Sequence, residues 1–127
     1  MFLEHVNLTV SNVERSATFY CDLLGLRVRW KGTISDDGTP AAHVGDDRCY
    51  LALFQGEQPG RAPSDYTVVG LNHFGYVVES LDAVKRRLAT LGVEPTSEQD
   101  YEPGKRLYFL DPDGIEVELV EYEQAAV

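Results

Sequence analysis

The sequence predicts an α+β protein of two βαβββ modules, at residues 1–55 and 69–122, with a linker at 56–68 and a tail at 123–127. Three observations predict it: short runs in which apolar and polar residues alternate, two helical apolar stripes, and the recurrence of the whole pattern. The recurrence can be counted. His5 to His73 is 73 − 5 = 68 positions, and the Leu-Gly pair closing each helix moves from 24–25 to 91–92, a shift of 67. A one-residue indel reconciles the two. Self-similarity over most of the chain argues for duplication and pseudo-twofold symmetry. Each sheet should pack its apolar face on a helix, leaving the polar faces to curl into a cupped mixed sheet around a cavity, with the helices outside.

The elements follow in order. In "LEHVNLTV" (3–10), Val6, Leu8 and Val10 point one way and His5, Asn7 and Thr9 the other, the pattern of a half-buried strand. Ser11 is placed to cap a helix, with Glu14 completing a capping box. Val13, Ala17, Tyr20 and Leu24 form its stripe, and Gly25 ends it. "LRVRW" (26–30) alternates again, with Leu26, Val28 and Trp30 on one side. "TISDDGTP" is a loop, and "AAHVG" and "RCYLALF" are strands around an Asp46–Asp47 turn. The stretch "QGEQPGRAPS" (55–64) has two Gly, two Pro and no apolar periodicity, as a linker should. The pattern then restarts. "VVGLNHFGYVV" sets Phe74, Tyr76 and Val78 opposite His73, Gly75 and Val77. Ser80 caps a helix with the stripe Leu81, Val84, Leu88 and Leu91, stopped by Gly92. Strands follow from "VEPTSE", in "RLYFL" and in "IEVELVEY", the last two joined by the turn "DPDG".

Composition narrows the function. The chain has 127 residues and a net charge of −10, from 11 basic and 21 acidic residues. Such a surface repels phosphate backbones and anionic lipid, which argues against nucleic-acid and membrane partners. No apolar run approaches the roughly 18 residues needed to span a bilayer. The N-terminus lacks the basic start and cleavage site of a signal peptide. Cys21 and Cys49 have no CxxC spacing, which suits two reduced thiols in a cytoplasmic protein.

Three potential metal ligands fall on the polar faces: His5, His73 and Glu118. In two halves related by a twofold axis the first strands lie near the axis, so positions 5 and 73 can converge. Two imidazoles and a carboxylate suit one divalent first-row metal with open coordination positions. Trp30, Tyr50 and Phe54 are candidates to wall the cavity and favour an apolar or aromatic substrate.

On "HVNLTVSNVERSATFYCDLLGL", "LNHFGYVV" and "YFLDPDGIEVELVE", the chain resembles the vicinal oxygen chelate superfamily. That superfamily contains glyoxalase I, fosfomycin- and bleomycin-resistance proteins and extradiol dioxygenases. The resemblance covers nearly the whole chain and implies the glyoxalase-like fold, commonly in a homodimer. It places His5, His73 and Glu118 on the ligand positions, with Fe(II) or Mn(II) favoured and Ni(II), Co(II) or Zn(II) as alternatives. Glyoxalase I has a fourth protein ligand where this chain has Ala52, which cannot coordinate. Fosfomycin thiol transferases carry a basic residue beyond the final ligand, and "LVEYEQAAV" has none. Extradiol dioxygenases match the ligand types and place a tyrosine ten residues before the carboxylate, where Tyr108 stands (118 − 10 = 108). Fosfomycin enzymes share that tyrosine. The dioxygenase histidine pair corresponds to Cys49 and Tyr50, and His43 is the available substitute as acid–base catalyst.

The expected function is therefore a metalloenzyme acting on a small molecule that chelates the metal through two adjacent oxygens. Within that class a ring-cleaving, dioxygenase-like oxidoreductase is favoured, with Tyr108 as hydrogen-bond donor or proton shuttle. The alternatives are a glyoxalase-like lyase or isomerase, a thiol transferase, and a metal-free protein that binds a drug or other ligand.

Overall fold

The computed structural model describes residues 1–60, 64–101 and 104–123. Positions 61–63 of the expected linker and 124–127 of the expected tail lie outside the described residues. The chain divides into two compact units, Met1–Pro59 and Gly60–Val127. Each contains a four-stranded mixed sheet and one helix.

The first unit runs β1 (His5–Val10), α1 (Val13–Leu24), β2 (Arg27–Thr33), β3 (Pro40–Gly45) and β4 (Tyr50–Gln55). Its strand order is β1-β4-β3-β2, with β1 parallel to β4 and the other pairs antiparallel. A parallel pair needs a long crossover, and α1 with the β2–β3 hairpin supplies it. Val10, Leu51, Leu53 and Val44 are buried on one face of the sheet, facing the α1 side chains Val13, Phe19, Tyr20 and Leu23. The helix starts one residue later than Ser11 would set. Asn12 is the N-cap and accepts from the Arg15 amide at 3.0 Å, while Ser11 Oγ accepts from the Arg15 guanidinium. An Asn side chain satisfies an orphan amide as well as a Ser does. Leu23 and Phe19, rather than Leu24, complete the buried face, because helix α1 turns them inward.

The strand β2 departs from simple alternation. Its register slips between Val28 and Trp30, so that Val28 pairs with Val44 and Trp30 with His43. Val44 and His43 are neighbours on β3 and face opposite sides, so Val28 and Trp30 do as well. A bulge places an extra residue between them, and no two-residue period survives it.

The second unit repeats the order: β5 (Phe74–Val77), α2 (Leu81–Thr90), β6 (Ser97–Tyr101), β7 (Gly104–Leu110) and β8 (Glu116–Tyr122). Its sheet is β5-β8-β7-β6, with β5 parallel to β8. Ser80 caps α2 as expected, accepting from the Ala83 amide at 3.1 Å. Leu81, Val84 and Leu88 are buried from the helix, and Leu107, Phe109, Val117 and Leu119 from the sheet. The regular part of β5 is shorter than the sequence pattern suggests, because residues 66–70 form turns and bends before it. Among the described residues no helix is long and apolar enough to cross a membrane.

Candidate functional site

In the second unit the site grows from β8. Val117 and Leu119 are fully buried toward α2, so Glu118 between them projects from the opposite face. Its cross-strand neighbours on that face are Tyr108 on β7 and Gly75 on β5. A Cβ at Gly75 would lie 3.3 Å from the Glu118 carbonyl oxygen, so glycine keeps the ground beside the carboxylate uncrowded.

His73 stands immediately before β5 and reaches the same face. Its Nε2 lies 2.9 Å from Glu118 Oε1. The second carboxylate oxygen, Oε2, accepts from the Arg106 guanidinium at 2.8 Å. These three side chains are 23 %, 12 % and 17 % exposed for His73, Glu118 and Arg106 respectively, so solvent screens them only in part. On the other side of the imidazole, Nδ1 lies 2.8 Å from Asn72 Oδ1 and 3.5 Å from Glu116 Oε1. Tyr108 meets the His73 ring edge-on at 5.4 Å.

Tyr66 closes this arrangement from the segment before β5. An Asp65 turn holds it, with Asp65 Oδ1 accepting from the Thr67 amide at 3.0 Å and its hydroxyl at 2.6 Å. The Tyr66 ring stacks on His73 at 5.9 Å and 16°, and its hydroxyl donates to Glu116 Oε1 at 2.8 Å. The bond to Glu116, with desolvation and the nearby negative charges, pushes the Tyr66 phenol up to about 12. A phenolate there would face a carboxylate with no proton to share. We expect the phenolate absorbance of wild-type protein to include a tyrosine titrating near pH 12, absent from Tyr66→Phe. In Glu116→Ala it should fall toward the usual range of about 10. The folded value is raised, so this contact stabilises fully below about pH 10 and is lost as pH rises toward 12. A titration curve unaltered by Glu116→Ala would contradict the assignment.

The first unit carries a row of rings across all four strands. On the face away from α1, His5 of β1 stacks on Tyr50 of β4 at 5.1 Å and 17°. Tyr50 stacks on His43 of β3 at 4.4 Å, and His43 meets Trp30 of β2 at 4.9 Å. The Arg29 guanidinium lies 4.6 Å over the Tyr50 ring, a cation–π contact. Glu4 binds His5 Nδ1 at 2.9 Å and accepts from the Tyr50 hydroxyl at 3.2 Å. The hydrogen bond with His5 is the main cause holding the Glu4 carboxyl below its ordinary range. Burial, and then the positive charge of Arg29, push His43 down, which favours its neutral ring. Phe54 is half-buried on the same face, opposite Thr9 and Ala41. Ala52 pairs with Asn7 and His43, and its carbonyl accepts from the Asn7 side chain at 2.9 Å.

The structure thus brings His73, Glu118 and Tyr108 together in one unit, and His5, Tyr50, His43 and Trp30 together in the other. Among the described residues no group of three or more His, Cys, Asp and Glu side chains is arranged to hold a metal ion. The His73–Glu118 pair nevertheless has the chemistry for one. Two donors bound side by side at about 2.1 Å from one cation are about 3 Å apart, the separation of a cis edge. The observed 2.9 Å between Nε2 and Oε1 fits that edge. A groove of about 290 Å³ opens beside α2 and β6, among Leu81, Lys85, Glu98, Lys105, Arg106 and Glu121; it shares Arg106 with this site and includes neither His73 nor Glu118.

Residues missed in the sequence had unequal signals. Arg106 and Glu116 each lie two positions before a chosen residue, Tyr108 and Glu118, and period-two alternation puts them on the same faces. Tyr66 and Asn72 lie in irregular backbone, where no period could point to them.

These features define a duplicated βαβββ protein with a histidine–carboxylate pair on the open face of its second sheet. The family model described as Glyoxalase/Bleomycin resistance protein/Dioxygenase superfamily matches residues 2–119, and the chain belongs to this family. It is 32 % identical over 124 residues to glutathione transferase FosA of Serratia marcescens, covering 92 % of this chain and 78 % of that protein. It is 25 % identical to catechol-2,3-dioxygenase of Bacillus subtilis over 91 % of this chain, which spans 39 % of that longer protein. A glyoxylase/bleomycin resistance protein/dioxygenase domain from Frankia sp. EAN1pec superposes with a TM-score of 0.80 at 28 % identity, covering 99 % of this chain and 95 % of that one.

Proposed function

We propose that the protein is a divalent-metal-dependent enzyme acting on a small molecule through two adjacent oxygens, with His5, His73 and Glu118 as the protein ligands. The observation that carries this reading is the 2.9 Å approach of His73 Nε2 to Glu118 Oε1 on a face shared with Tyr108. Two imidazoles and one carboxylate are the donor set of Fe(II) oxygenases, and Mn(II) binds such a set more weakly. We therefore assign a ring-cleaving oxidation of a catechol-type substrate as the reaction class. Kinship to a catechol dioxygenase is compatible with that assignment. The bound cation would supply Lewis acidity, stabilising negative charge that develops on the substrate oxygens.

The chain's own residues have separate tasks in this scheme. Arg106 holds one carboxylate oxygen of Glu118 and leaves the other toward His73. Tyr108 is placed beside His73 to donate a hydrogen bond to a bound oxygen. His43, biased toward its neutral form, is a candidate base; Trp30 and Phe54 offer apolar surface to an aromatic ring, and Tyr50, stacked between His5 and His43, offers its edge. A homodimer is part of the proposal.

A second reading has its own observation. The Arg106 guanidinium is a fixed counter-charge on Glu118 and competes with a cation for that carboxylate. That supports a metal-free protein that binds a drug or other small ligand.

Anaerobic purification followed by loading with Fe(II), Mn(II), Ni(II) or Zn(II) separates the two. The enzyme reading expects one tightly held ion per site in wild type, and its loss in His5→Ala, His73→Ala and Glu118→Ala. Oxygen uptake with a catechol panel should exceed turnover of methylglyoxal with thiol, and the opposite order would move the assignment to lyase or transferase chemistry. Failure of every metal to bind would leave the metal-free reading.

A further inference from the structure

The His73 ring is held on both sides, and the two sides differ in chemistry. Nε2 looks at Glu118 Oε1 at 2.9 Å, and Nδ1 looks at Asn72 Oδ1 at 2.8 Å with Glu116 Oε1 at 3.5 Å. Carboxylates only accept hydrogen bonds, and both ring nitrogens face one, so a neutral ring with its single proton can satisfy only one side at a time. With the proton on Nδ1, a neutral ring turns its Nε2 lone pair toward Glu118, leaving two acceptors face to face. A cation bound at Nε2 removes that opposition and leaves the ring proton on Nδ1, where Asn72 Oδ1 and Glu116 Oε1 can accept it.

We propose that Asn72, Glu116 and Tyr66 form an outer layer that positions His73 for metal binding by fixing its proton on Nδ1 and freeing Nε2. The idea rests on the metal-dependent reading given above. Outer partners of this kind orient a ligating imidazole and raise its basicity, and their loss typically weakens metal binding by about 10- to 100-fold. Glu116 supplies the anionic acceptor, with only 15 % of its side chain exposed. Tyr66 sets the direction of that acceptor by donating to the same Oε1, and its ring lies parallel to the imidazole and limits its rotation. Asn72 gives the shortest contact to Nδ1. Glu118 on the far side is itself fixed by Arg106, so both members of the pair are held by the same unit.

The test uses Mn(II) alone as probe, with free Mn(II) followed by its paramagnetic resonance signal in the full chain. Wild type should bind Mn(II), Glu118→Gln should lose binding, and Glu116→Gln should weaken it by about 10-fold or more. Tyr66→Phe, which keeps the ring and removes the donated bond, should weaken it less than Tyr66→Ala. A second readout is the nitrogen-15 spectrum of the His73 ring in the Zn(II)-loaded protein. Wild type should show a protonated Nδ1 and a metal-bound Nε2, whereas Glu116→Gln and Asn72→Ala should broaden or shift the Nδ1 signal while thermal melts stay close to wild type. Failure of wild type to bind any divalent ion defeats the metal-dependent reading. Wild-type binding with unchanged affinity and unchanged Nδ1 signal in Glu116→Gln overturns the outer layer alone.

Discussion

Glu118→Leu is expected to destabilise the protein by about 3 kcal/mol, measured in chelator so that no metal contributes. The carboxylate faces Arg106 at 2.8 Å and His73 at 2.9 Å in a setting that solvent reaches poorly. Removing it leaves a guanidinium directed at a methyl group, and a largely buried charge that loses this counter-charge costs more than the pair contributes when intact. The double variant Glu118→Leu with Arg106→Leu should therefore regain much of the loss, because both charges are gone together. Urea unfolding of the two single variants and the double completes the cycle. Strictly additive effects would show that the pair is not coupled, and the electrostatic account of the site would fall with it.

Phe109→Ala should cost about 3–5 kcal/mol. The ring is completely buried near the C-terminal end of β7, opposite Val117 of β8, and faces the α2 side of the sheet. Truncation removes the apolar transfer contribution and leaves a cavity that a four-stranded sheet with one helix cannot collapse to fill. With urea slopes of about 1–3 kcal/mol/M for small proteins, the unfolding midpoint should drop by about 2 M. A midpoint within a few tenths of a molar of wild type would mean that the second unit has its core elsewhere.

The fold was legible because its signals are periodic. The alternation in 3–10 and in "IEVELVEY" located β1 and β8 and chose the faces of His5 and Glu118, and the stripe from Leu81 to Leu88 located α2. Legibility ended where period failed. The bulge in β2 separated Val28 from Trp30, a shift invisible in a string of alternating residues. The site was legible in the same measure. Glu118 and Tyr108 were placed by strand parity and by family resemblance, and they are direct cross-strand neighbours. His73 was found through the repeat. Arg106 was overlooked because a basic residue in "GKRLYFL" looks like a solvated charge, and only a partner on the next strand shows that it turns inward. Tyr66 acts across 50 positions on Glu116, a distance over which local pattern carries no information.

The parallel pairing of first and last strands has a consequence during synthesis. In each unit the opening strand lies at the sheet's edge, and its neighbour is the strand that the ribosome makes last. While α1 can coil as it emerges, the amide row of β1 waits for residues 50–55 before it is hydrogen-bonded. The first unit can then close its ladder while the second is still being translated. In the second, β5 must wait through some forty further residues, until β8 arrives at 116. β1 waits as long, 50 − 10 = 40 positions against 116 − 77 = 39, so each half in turn presents an unmated edge that is open to mispairing with another copy.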